Sequence, residues 1–162
     1  MSQGISRRQF LRGQFGRRQQ AARPPWALAE AGFLAACTRC GECVDHCPQH
    51  ILVKDQAGYP KVDFAPGECT FCGECAARCQ PRALQRREQT APWRLKAFIG
   101  PQCLARVNVV CRACGDACPV RAIRFHPQLN AAAQPALDPV RCTGCGACYR
   151  ACPARAISME PI

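Results

Sequence analysis

Apolar residues along the chain gather in short segments between turn-forming residues, and four of those segments share one form: "PQHILVKD", "QPRALQRR", "PVRAIRFH" and "PARAISME". The first three lead through turn-prone residues toward the next repeat, which marks a repeated supersecondary unit. In "ILVKDQAGYPKVDF" an apolar run, a turn at Ala57-Gly58 and a second run predict strand, turn and strand, and "AIRFHPQLNAAAQPALD" predicts the same with a looser turn. The pattern therefore predicts small two-stranded ribbons. An earlier apolar run, Trp26 to Ala36, is interrupted by Glu30.

Composition changes how those segments are read. At 162 residues the chain makes one compact domain or two small ones. Its apolar share of 48% includes 16 Cys and 26 Ala, which leaves few large side chains to bury. A small domain short of core is held by disulfides or metals. The cysteines fall into four groups: Cys37, Cys40, Cys43, Cys47; Cys69, Cys72, Cys75, Cys79; Cys103, Cys111, Cys114, Cys118; and Cys142, Cys145, Cys148, Cys152. Three groups read C-x2-C-x2-C-x3-C with proline one or two residues on, which is the bacterial ferredoxin run for [4Fe–4S] clusters.

The spacing has a physical reason. Cysteines every third residue on a tightly wound loop turn three thiolates around one cuboidal core, and Gly41, Gly73, Gly144 and Gly146 let the backbone pass close to it. The fourth cysteine, on the following helical turn, ligates the other cluster of a pair. Structural zinc usually takes two separated C-x2-C pairs, and a disulfide framework would not repeat one tight spacing four times. The sixteen cysteines thus predict four [4Fe–4S] clusters, with brief helices carrying the fourth cysteine of each group. The fold class is α+β, tandem bacterial-ferredoxin-like modules: a basic tail over 1–26, a first module over 27–88 and a second over 89–162. Pairing of the first group with the second and the third with the fourth is expected. The connectors of 21, 23 and 23 residues leave pairing of the second with the third open. In the third group seven residues, "LARVNVV", separate Cys103 from Cys111. That enlarged loop is either a harmless insertion or the mark of a more exposed, differently tuned cluster.

Charge narrows the function classes. Four oxidised clusters, each about −2 with its thiolates, bring the formal +11 to about +3. Residues 1–23 hold six Arg and no acid, so the folded body is mildly acidic and carries a separate basic arm. Nucleic acid as a partner would need a basic body with stacking aromatics, and none is expected. P-loop, G-x-G-x-x-G, H-E-x-x-H and G-x-S-x-G motifs are missing, so the chain is not expected to be an enzyme. His46, His50 and His126 read as solvated or hydrogen-bonding neighbours, because the thiolates complete each ligand set. Tyr59, Trp93 and Tyr149 read as packing residues.

The opening "SRRQFLRG" has the form of a twin-arginine export address. A secretory signal, however, needs an apolar stretch of about 7–15 residues and a small-residue cleavage site. Here "GQFGRRQQAARPP" follows, and the next apolar run ends against Cys37. The tail therefore reads as an uncleaved docking arm, with export and an inconsequential solvated tail as the alternatives. Arg7, Arg8 and Arg12 would engage an acidic surface of a partner or its chaperone, or a membrane face, because planar guanidinium donors pair carboxylates two at a time.

These features together resemble one family. "SRR" followed by "RPPW" at 23–26, "CTRCGEC" at 37–43, "GYP" at 58–60, "CTFCGEC" at 69–75, the stretched "IGPQCLARVNVVCRAC" at 99–114 and "CTGCGAC" at 142–148 look like the NapF-type ferredoxin proteins of periplasmic nitrate reductase systems. The resemblance spans almost the whole chain. It implies a cytoplasmic accessory protein that carries several [4Fe–4S] clusters on these sixteen cysteines. Its implied partner is the nitrate reductase catalytic subunit precursor, whose iron–sulfur cofactor it helps to assemble before export. The alternative is a ferredoxin-type electron carrier serving other redox proteins, and a purely structural use of the clusters comes third.

Overall fold

The structure, a computed structural model, describes residues 22–87 and 91–162. The arm carrying Arg7, Arg8 and Arg12 lies outside the described residues. The elements in chain order are α1 (Glu30–Ala36), α2 (Glu42–Asp45), β1 (Leu52–Lys54), β2 (Pro60–Val62), α3 (Glu74–Ala77), β3 (Leu95–Ile99), α4 (Ala113–Asp116), β4 (Ile123–Gln128), β5 (Ala131–Leu137), α5 (Ala147–Ala151) and β6 (Ile157–Pro161). Strands pair only in twos among the described residues: β1 with β2, β4 with β5, and β3 with β6, all antiparallel.

Both expected hairpins form. Asp55 closes the first: its Oδ1 accepts from the amides of Ala57 (2.9 Å) and Tyr59 (3.0 Å), and Gly58 takes φ +83. This is an Asx-type turn that holds Leu52 opposite Val62. In the second hairpin the register slips between His126 and Gln128, where Pro127 has no amide to give. Asn130 then turns the chain in the left-handed region at φ +55.

Two features depart from the sequence reading. The one-turn helices α2, α3, α4 and α5 carry the third cysteine of each group, Cys43, Cys75, Cys114 and Cys148. The fourth cysteine lies just beyond the helix, or caps its end as Cys152 does in α5. Four residues of helix complete one turn, and three residues separate the third cysteine from the fourth, so the turn is used up before the fourth is reached. The second departure concerns residues 23–26. Pro24 and Pro25 are fully buried and Trp26 is 8% exposed, so these residues belong to the folded body and not to the tail.

The apolar interior is divided. One cluster centres on Phe33, Ile51, Leu52, Phe64, Ala83 and Leu84, the other on Ile99, Ala105, Ala122, Ile123, Ala156 and Ile157. Strand β3 alternates buried and open positions, and Leu95 joins the first cluster while Ala97 and Ile99 join the second. Its partner β6 also touches both, through Met159.

Candidate iron–sulfur centres

Three of the four cysteine loops turn on a backbone conformation that L side chains rarely adopt. Gly41, Gly73 and Gly146 precede α2, α3 and α5 with φ of +96, +89 and +87. That conformation reverses the loop and starts the helix within one residue. The third group reaches α4 from its enlarged loop and needs no reversal, so Arg112 stands there with φ −130.

The cysteines line four separate cavities. Cys37, Cys40 and Cys43 share theirs with Cys79, and Cys69, Cys72 and Cys75 share theirs with Cys47. In the second half Cys103, Cys111 and Cys114 are joined by Cys152, and Cys142, Cys145 and Cys148 by Cys118. Every cavity thus takes three cysteines from one group and the fourth from its neighbour, with the first group paired to the second and the third to the fourth. All sixteen are free thiols.

The donor set fits a polynuclear cationic core. Burial first, and the neighbouring thiols second, push Cys43, Cys75 and Cys148 up to about 12 and Cys69 and Cys114 up to about 11. Such crowded thiols ionise readily only against concentrated positive charge. Each cavity offers four cysteines and no His, the all-thiolate donor set that iron–sulfur cores take. Three of the fourth cysteines also accept amide hydrogen bonds: Leu84 N–H to Cys79 Sγ at 3.4 Å, and Ala122 to Cys118 and Ala156 to Cys152 at 3.2 Å. Donors to sulfur stabilise its negative charge and raise a cluster's potential.

The third site is not the most exposed. Cys103 and Cys114 are buried and Cys111 and Cys152 are half-buried, whereas Cys40 of the first site and Cys72 of the second are exposed. The enlarged loop provides the cover: Ala105 is fully buried and Leu104 lines the cavity.

A backbone hydrogen bond joins two sites across the halves, Cys69 N–H to Cys145 O at 2.7 Å. Around it Trp93 donates from Nε1 to Thr143 O at 3.0 Å and stands edge-on to Phe64 and Phe71 at 5.9 and 5.8 Å. Lys96 Nζ donates to Cys142 O. A Cβ on Gly146 would strike the Phe64 ring, so this close approach requires glycine. The sites of the second and fourth groups are therefore neighbours.

None of the three histidines lines a cysteine cavity. His46 is exposed, with its Nδ1 3.0 Å from Glu42 O. The three aromatics pack: Tyr59 lies 6.2 Å from Phe33, Trp93 fills the junction and Tyr149 stands 6.3 Å from Phe64. One repeated feature was invisible in the sequence. His50, Arg82, Arg121 and Arg155, each three residues after a fourth cysteine, all have φ between +48 and +55. Each donates its amide to that cysteine's carbonyl at 3.0–3.1 Å. Glycine or asparagine would have announced such a turn, and histidine and arginine do not.

Comparison with known sequences follows this division. Residues 36–83 and 109–159 each match the 4Fe-4S dicluster domain family. The first stretch takes in both cysteine groups of its half, and the second begins beyond Cys103, past the displaced cysteine. The chain is 45% identical over 153 residues to the ferredoxin-type protein NapF of Haemophilus influenzae, covering 88% of this chain and 86% of that protein. This chain belongs to the NapF family of ferredoxin-type proteins. NapF of Escherichia coli K12 is 43% identical over 140 residues, covering 86% of this chain and 85% of that protein. More distant is the methylamine utilization ferredoxin-type protein MauM of Paracoccus denitrificans, 35% identical over 143 residues and matched over 64% of its length. No helix among the described residues is long and apolar enough to cross a membrane.

Proposed function

We propose that this chain is a cytoplasmic accessory protein, not an enzyme, that holds four [4Fe–4S] clusters. It assists assembly of the iron–sulfur cofactor of the nitrate reductase catalytic subunit before that subunit is exported. The observation that carries the reading is the grouping of sixteen free thiols into four four-cysteine cavities in a chain of the NapF family. The first cluster would rest on Cys37, Cys40, Cys43 and Cys79, and the second on Cys47, Cys69, Cys72 and Cys75. Cys103, Cys111, Cys114 and Cys152 would hold the third, and Cys118, Cys142, Cys145 and Cys148 the fourth. Bound there, the clusters supply one-electron chemistry and a store of iron and sulfide. The modules run over 27–88, with residues 23–26 packed onto the first, and 89–162, and Arg7, Arg8 and Arg12 form the docking arm toward an acidic surface. The exposed Cys40 and Cys72 leave the first half accessible to a recipient site.

Anaerobically purified protein is expected to hold about sixteen iron and sixteen sulfide per chain. Mixed with purified precursor lacking its cluster, it should bind that precursor and restore its iron–sulfur spectrum. Stoichiometric zinc without sulfide would overturn the cluster assignment, and absence of binding and transfer together would overturn the assembly role.

The Cys69–Cys145 contact favours a second reading, an electron carrier, because it brings sites of the two halves together without an intervening domain. Redox titration with and without the precursor separates the two. A conduit keeps all four clusters through repeated reduction and reoxidation, and an assembly factor surrenders iron to the recipient.

A further inference from the structure

The enlarged loop between Cys103 and Cys111 covers its cluster site on one side and is bare on the other. It closes on itself through Val107 N–H to Cys103 O (3.1 Å) and Val109 N–H to Leu104 O (2.8 Å). Two hydrogen bonds, one through the loop's own Asn108 and one through the Gln134 side chain, brace it against β5. Asn108 Oδ1 accepts from Ala132 N–H at 2.7 Å, and Gln134 Nε2 donates to Ala105 O at 2.7 Å. The brace holds three valines outward, Val107 at 58%, Val109 at 49% and Val110 at 84% exposure. It also ties the loop to the start of β5, just past the turn where Leu129 is 94% exposed. A loop needed only as a spacer would not present aliphatic side chains to water from a hydrogen-bonded frame.

Charge indicates what covers this patch. From Ile99 to Leu137 the chain holds Arg106, Arg112, Arg121 and Arg124 against Asp116 as the only acid. Arg106 and Arg112 flank the valines in sequence and both are exposed. β-branched side chains on a fixed frame lose little rotamer freedom on contact. A membrane surface would be met by an amphipathic helix with aromatic anchors, and this loop has neither. We propose that the loop of residues 104–110 is a protein-docking knob that seats its valines in an apolar hollow edged with carboxylates on the nitrate reductase catalytic subunit precursor. The proposal rests on the functional reading above, whose partner it adopts, and adds the surface by which the second half engages it.

The test uses the full chain with its clusters and the purified precursor, with affinity measured by calorimetry. The triple variant V107T/V109T/V110T keeps the shape of the loop and removes its apolar face. It should load iron as the parent does and bind the precursor at least ten-fold more weakly. The single variants L129S and V110E alter positions that are almost fully exposed and spare the fold if the triple variant does not load. Each should weaken binding, V110E the more because it sets a carboxylate against the acidic rim. Equal binding by parent and variants overturns the docking knob and leaves the assembly reading intact, whereas failure of the parent to bind overturns both. Binding of the parent to vesicles of anionic lipid that is lost in the triple variant, with precursor binding unchanged, would also overturn it, in favour of a membrane face.

Discussion

In the first half the two ends of the module meet at one bridge, Ala27 with Leu84, whereas in the second they are sewn together by the five paired positions of β3 and β6. The interiors differ in the same sense. The first half is plugged by Phe33, fully buried against Tyr59, with the Arg23 guanidinium 5.1 and 5.6 Å from the two rings. Arg23 also binds Glu30 at 2.8 Å and Asp55 at 2.9 Å, and so clamps the entry segment to α1 and to the first hairpin. The second half has alanines where layers meet, Ala97, Ala105, Ala122 and Ala156, and relies on longer ribbons. The cysteine frame is repeated almost unchanged, while its support is built once from large side chains and an ion cluster and once from strand pairing. Ligand geometry tolerates little variation, and any sufficient packing can hold it.

The comparison breaks most severely at the shared cysteines. Under crossed ligation Cys47→Ala removes a ligand from the second site, so iron should fall to about twelve per chain. Its reduced-state paramagnetic resonance spectrum should match that of Cys72→Ala and differ from that of Cys40→Ala. A match to Cys40→Ala would mean that ligation stays within each group. The next effect separates the halves. Phe33→Ala empties the plug of the first half and should cost it about 3–5 kcal/mol. Urea titration followed by cluster absorbance should then show half the colour lost well before the rest. A single unshifted transition would show that the ribbons support both halves.

The smallest effect sharpens the role of the ion cluster. Burial works against the Asp55 carboxylate, but the Arg23 hydrogen bond and the amides of Tyr59 and Ala57 outweigh it and hold its pKa below the usual range. A depressed carboxylate stabilises the fold above its unfolded pKa, and that contribution is lost as pH falls through the folded value. Asp55→Asn should therefore cost up to about 1 kcal/mol at neutral pH, since solvent screens part of the pairing. The deficit should shrink as pH falls below about 4, the range of an unperturbed carboxylate, and vanish only once pH has passed the lower folded value, as followed by the melting temperature of the first half. A deficit independent of pH would assign the effect to the turn and not to the charge.

What could be read from the sequence was what local geometry dictates. The cysteine groups and both hairpins are written in consecutive residues, since loop winding and turns depend on near neighbours. The β3–β6 ribbon was not legible, because Leu95 and Pro161 pair across the length of a whole module and neither strand has a turn beside it to point at its partner. The role of the enlarged third loop was hidden for a related reason. Its length is visible, but the brace from Ala132 and Gln134 comes from residues 24 and 29 positions away. Trp26 was misplaced because a basic, proline-containing segment reads as a tail until Pro92 O accepts its amide at 2.5 Å and Gln85 donates to its carbonyl at 2.8 Å.

The exchange of fourth cysteines also sets an order in time. As the chain is synthesised from its N-terminus, the site completed first is the one that needs Cys47, Cys69, Cys72 and Cys75. The site begun at Cys37 must wait four more residues, for Cys79. The second half repeats the inversion: the cavity closed by Cys148 is finished before the one begun at Cys103, which stays open until Cys152 emerges. In each half the earliest cysteines made are the last to be enclosed. Three of them precede the last cysteine of their cavity by most of a module's length, and the neighbouring set of four is already complete in the chain when that last one emerges.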